Sequence, residues 1–72
     1  MAYMNDLQII CRNHCITDEK GQILEAYKNK NYADLDPTGK KIIKSACFDW
    51  NATNPNNRIV PVNFLKTIIN LL

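Results

Sequence analysis

The chain predicts an all-α fold, a small bundle of three to four short helices in one domain spanning residues 1–72. Three observations carry this expectation. Residues 41–50 hold an apolar stripe at helical spacing, a second stripe with the same offsets closes the sequence, and a proline stands at the start of each segment.

On a helix advancing about 100° per residue, Ile42, Ile43, Ala46, Cys47 and Trp50 fall within one arc of roughly 140°, the width of a core-facing helix. Lys41, Lys44, Ser45 and Asp49 lie outside it. Extended backbone does not suit the same residues, because alternation would set Ile42 and Ile43 on opposite faces with Lys44 beside one of them. Asp36 supplies an acceptor at the N-cap and Pro37 a ring suited to the first helical position. Asn51 and the residues up to Pro55 end this helix. Phe64, Leu65, Ile68, Ile69 and Leu72 repeat the offsets, with Lys66 and Thr67 in the places of Lys44 and Ser45, and Pro61 opens the segment. Two copies are too few for a solenoid, so the stripes are expected to need apolar partners, each other among them.

Upstream, Tyr3, Met4, Leu7, Ile10, Cys11, His14 and Cys15 share one helical arc of about 140°, with Ile9 left out of it. Residues 16–31 also read as a helix. Thr17 is its N-cap, Asp18 and Glu19 sit in the first turn, Lys28 and Lys30 in the last, and Ile23, Leu24 and Tyr27 form the inner face. The competing architecture is α+β, with an N-terminal β-hairpin over residues 7–28 followed by two helices. There Asp18-Glu19-Lys20-Gly21 would be a type I turn with glycine in the left-handed position. Gly21 inside a helix costs roughly 1 kcal/mol, yet the capping pattern favours the helix. Residues 31–36 are a linker, and 51–58 the most turn-prone stretch.

A chain of 72 residues buries only about 60% of its unfolded surface on folding alone, so outside support from a partner, a metal or self-association is in keeping with its size. Its 46% hydrophobic and 22% charged residues are those of a globular chain rather than a disordered one. A formal charge of +2 is mild for a dedicated nucleic-acid binder. No charged start followed by a long apolar core marks a signal peptide. No apolar run approaches the ~20 residues of a membrane span, so no membrane partner is expected. Three cysteines are an odd number for a disulfide scaffold, which points to a reducing, cytoplasmic setting.

Two clusters could carry chemistry. Cys11, His14 and Cys15, at i, i+3 and i+4 of a helix, could approach one ion, and Cys47 would complete a Cys3His set of the kind zinc accepts. Against this, cysteines behave as small buried hydrophobes, and no C-x2-C pair is present. The same group could serve as a Cys–His nucleophile pair, but no third orienting group or pocket accompanies it. Pro37 to Lys41 resembles a phosphate cradle only in its Gly-Lys pair, since the Walker pattern needs glycine where Asp34 stands. A weaker anion contact at the helix start, with Gly39, Lys40, Lys41 and Lys44, survives. The carboxylates show no pairing suited to acid–base work.

Phe48 is the one core-type aromatic that the predicted core does not claim, and it shares its face with Lys41 and Lys44. The expectation is therefore a non-enzymatic protein-interaction module, a regulator or inhibitor docking on a larger protein through Phe48, Lys41, Lys44 and Lys40. An alternative is a small nucleic-acid-binding protein, with Lys40, Lys41 and Lys44 on phosphates and Phe48 near bases or sugars. A helix-turn-helix wants a shorter turn before its reading helix than residues 31–36 provide. A third reading is a zinc-stabilised subunit; otherwise no cofactor is expected. Self-association would run through the apolar C-terminal helix.

Overall fold

The computed structural model describes residues 2–71, and side chains within the first helix from Asp6 onward. The inner-face side chains expected at Tyr3 and Met4, and Leu72, lie outside these. Three helices form as an all-α bundle: α1 (Ala2–Asn13), α2 (Pro37–Thr53) and α3 (Pro61–Leu71), with one 3-10 turn at Tyr32–Asp34. Among the described residues no strand forms, and Thr17 and Ile23 make one isolated antiparallel bridge.

The central helix α2 packs on α1 and on α3, and the 3-10 turn rests against α3. Its first turn is fixed as the sequence predicts. Asp36 accepts a 2.7 Å hydrogen bond from the Gly39 backbone N–H, and Pro37 stands in the first turn. Gly39 is buried there for a steric reason. A Cβ at this position would stand 3.1 Å from the Asp36 carboxylate and 3.3 Å from Leu35 Cβ. The helix runs through Asn51 to Thr53, and Asn54 closes it by donating from its backbone N–H (2.9 Å) and its side-chain amide (3.0 Å) to the Trp50 carbonyl.

The core joins Leu7 and Cys11 of α1 to Ile43, Ala46, Cys47 and Trp50 of α2 and to Phe64, Leu65 and Ile68 of α3. Ile16, Tyr27 and Leu35 close it from the connecting segment. Large, fully buried side chains such as Trp50, Phe64 and Leu7 supply most of its apolar area, each contributing on the order of 1.5–3 kcal/mol.

The segment between α1 and α2 departs from the expected second helix. α1 ends in a Schellman motif: the Ile16 N–H donates to the Cys11 carbonyl (2.8 Å) and the Cys15 N–H to the Arg12 carbonyl (3.1 Å). Cys15 takes the left-handed position, φ 60°, that glycine usually fills, and Ile16 packs beside Cys11 in the core. The chain is thereby turned back before a Thr17-capped helix can begin. Asp18 then organises a tight turn, accepting from the backbone N–H groups of Lys20 (2.9 Å) and Gln22 (3.0 Å), with Gly21 at φ 82°. This is the turn of the competing hairpin, yet it carries a single bridge and no ladder. One helical turn follows, with the Lys28 N–H bonded to the Leu24 carbonyl at 3.0 Å, and Asn29 ends it at φ 58°. Ile23, Leu24 and Tyr27 still face the core, as the helical reading asked of them.

Candidate functional site

The inward stripe of α2 decides where Phe48 goes. Phe48 lies roughly 160° around the axis from Trp50, so no rotation of the helix buries both rings. Trp50 takes the core at 2% exposure and Phe48 is left 64% exposed. Lys44 and Lys41, four and seven positions earlier, project from the same side and are exposed. Lys40 sits on the flank of this face, half-buried, and its carbonyl accepts a 3.4 Å hydrogen bond from the Tyr32 hydroxyl.

The loop after α2 forms a second wall. Phe48, Asn51, Ala52, Pro55 and Arg58 line one shallow groove. Asn51 holds that wall in place through its side-chain amide. Its Nδ2 donates to the Ile59 carbonyl and its Oδ1 accepts from the Ile59 N–H, both at 2.9 Å. The Cys47 thiol donates to the same carbonyl at 3.2 Å. Burial pushes the Cys47 thiol above its ordinary pKa, partly opposed by the Asn51 side chain. A neutral thiol is the form that can donate. Lys41, Lys44 and Arg58 make no ion pair among the described residues. Asp49, the acid nearest along α2, points about 100° away from Phe48 and pairs with His14 Nε2 at the end of α1.

Arg58, Pro55 and Asn51 are the residues that sequence reasoning missed. Helical periodicity could link Phe48 to Lys41 and Lys44 but has nothing to say about a loop residue ten positions on.

The other expected constellations come apart. The Cys11, His14 and Cys15 arc, which Cys47 was to complete from α2, assumed a helix continuous to residue 15, whereas α1 stops at Asn13. Cys11 is therefore buried in the core, Cys15 is turned out to solvent beyond the Schellman bend, and Cys47 is engaged with Ile59. Burial raises the Cys11 pKa to about 12, which disfavours a thiolate there. Among the described residues no group of three or more His, Cys, Asp or Glu side chains is placed to hold a metal ion. The anion contact expected at the start of α2 is already filled by the Asp36 carboxylate, which occupies the Gly39 N–H. Ahead of α2 stand the 3-10 turn and an irregular segment rather than a helix and short turn, so α2 is not the second helix of a helix-turn-helix.

On α3, Val62 and Leu71 are exposed. They lie roughly 180° apart around the axis and do not make one apolar strip. No described helix is long and apolar enough to cross a membrane. Compared with protein-family models, curated proteins and solved structures, the chain matches none.

Proposed function

We propose that the protein is a non-enzymatic interaction module that docks on a larger protein through the outer face of α2, with Phe48 as the anchor. The observation that carries this is the 64% exposure of Phe48 beside two lysines that make no ion pair among the described residues and along a groove whose loop side is fixed by hydrogen bonds. Aromatic residues set among cations are the composition of binding anchors, because an aromatic ring offers large contact area at little entropic cost. A preorganised wall also reduces the ordering cost of association. Lys41 and Lys44 flank the anchor and Lys40 stands at the edge of the same face.

Replacing Phe48 with alanine tests the reading. An exposed ring contributes little to the fold, so stability should stay within about 0.5 kcal/mol of the parent chain. Capture of a partner from cell extract, compared quantitatively between the two chains, should fall by more than tenfold for Phe48→Ala. Unfolding of the variant, or unchanged capture by a folded variant, removes Phe48 as the anchor. A captured species that is nuclease-sensitive favours the nucleic-acid alternative.

A further inference from the structure

We infer that the partner surface is acidic as well as apolar, and that Arg58 is the residue that selects it. This rests on the docking reading above and deepens it. The inference starts from charge. Around Phe48 the exposed cations are Lys41 and Lys44 on α2 and Arg58 in the groove itself, and no carboxylate lines that groove. The nearby carboxylate, Asp49, is turned to His14. A partner that covers this face must bring its own negative groups or leave three cations poorly solvated at the rim, which costs affinity.

Shape narrows the partner further. Phe48, Ala52 and Pro55 give the groove apolar lining, and Arg58 lines it as well. An apolar side chain of the partner fits against this lining while a carboxylate next to it meets Arg58, whose planar fork suits bidentate recognition. The backbone next to Arg58 is held in place. Its neighbour Ile59 is clamped at both backbone groups by Asn51, and the loop is pinned at its start by the Asn57 N–H to Asn54 carbonyl bond at 2.9 Å. Arg58 therefore reaches a partner from a preformed loop. The occupant that matches is an amphipathic acidic element, an apolar stripe bordered by Asp or Glu.

The test uses the whole chain and defined probes. Three synthetic helical peptides share a backbone design: a leucine stripe bordered by glutamates, the same stripe bordered by lysines, and glutamates with the stripe replaced by alanines. A short random DNA duplex is the fourth probe. Amide shifts are followed by nuclear magnetic resonance. The leucine–glutamate peptide should perturb residues 44–58 in a salt-sensitive way, and Arg58→Gln should weaken it on the order of fivefold. The lysine-bordered and alanine peptides should not perturb those residues. Equal binding of the lysine-bordered peptide, no binding of the glutamate peptide, or preference for the duplex overturns the acidic partner. Binding that Arg58→Gln leaves intact but Phe48→Ala abolishes overturns the role of Arg58 while leaving the docking face standing. Binding indifferent to Phe48→Ala overturns the docking reading as well.

Discussion

Asn51→Ala is the substitution that joins the fold to the candidate site. The side chain makes two 2.9 Å hydrogen bonds to the backbone of Ile59. Without it the Ile59 N–H has no acceptor among the described residues, and its carbonyl keeps only the Cys47 thiol at 3.2 Å. Each lost bond is worth about 1 kcal/mol net. Because Ile59 is half-buried, water only partly replaces them, so the loss totals about 2 kcal/mol. Alanine returns about 0.5 kcal/mol in helix propensity within the last turn of α2. The net cost is then about 1.5 kcal/mol, equivalent to a fall of about 6–12 °C in Tm for a domain of this size. Denaturant unfolding measures the first figure and calorimetry the second. Amide exchange at Ile59 should quicken more than at core positions such as Ile43. Asn56→Ala is the control, since Asn56 is exposed and its side chain makes no hydrogen bond among the described residues; it should stay within about 0.5 kcal/mol. Asn51→Asp sharpens the test. The carboxylate retains an acceptor for the Ile59 N–H but turns an oxygen toward the Ile59 carbonyl, so the folded state raises the pKa of the introduced carboxyl. Its deficit should therefore shrink as pH falls through the raised folded-state value and be fully recovered by about pH 4, the unfolded carboxyl's own value, because the protonated group can donate again. If Asn51→Ala matches the parent within about 0.5 kcal/mol, the amide does not hold the loop, and the preformed loop carrying Arg58 falls with it.

Further expectations follow from the cysteines and the turns. The Cys11 pKa is pushed up to about 12 from 9.0, chiefly by burial, and burial also raises Cys47 and Tyr27. The folded chain thus holds protons that the unfolded chain has released above pH 9, and stability should decline from there upward by at most about 1.4 kcal/mol per pH unit per group. A flat unfolding free energy between about pH 8 and about pH 10.5 contradicts this. A thiol reagent should modify Cys15 in the native state and reach Cys11 and Cys47 only on unfolding; two fast-reacting thiols in the native chain refute that burial. Cys15→Gly should stabilise by up to about 1 kcal/mol by relieving left-handed backbone at φ 60°, and Gly21→Ala should destabilise by about 1 kcal/mol at φ 82° despite open space around it. Denaturant midpoints of opposite sign for the two variants are the check.

Those two backbone positions also explain what the sequence could and could not disclose. The helices α2 and α3 were legible because their apolar spacing, Asp36-Pro37 and Pro61 all favour the same conformation. The segment after α1 was not, because its caps fit two structures. Thr17, Asp18 and Glu19 suit a helix start, and Lys28 and Lys30 a helix end, yet Asp18 spends its carboxylate on the N–H groups of Lys20 and Gln22 instead. The decisive bend falls at Cys15, and a cysteine carries none of the signal that a glycine at that position would have carried. Burial proved more legible than backbone: Ile23, Leu24 and Tyr27 reach the core without the helix expected of them. The candidate site divides in the same way. Phe48, Lys41 and Lys44 follow from periodicity on α2, while Arg58 depends on a side-chain clamp at Asn51 that reads in the sequence as one more polar breaker.

The geometry of α2 also bears on the apolar residue at position 48. A helix that must bury Ile43, Ala46 and Trp50 leaves position 48 facing solvent whatever residue is there, so the fold places no demand for phenylalanine on it. A polar residue would serve the isolated chain equally well and would remove an exposed apolar surface. In so small a core, where Cys11, Ala46 and Cys47 occupy fully buried positions, a large aromatic ring held outside is apolar area withheld from folding. That area gains free energy only when something covers it, and under the proposed docking role Lys41, Lys44 and Arg58, which make no ion pair among the described residues, would set the charge of that cover.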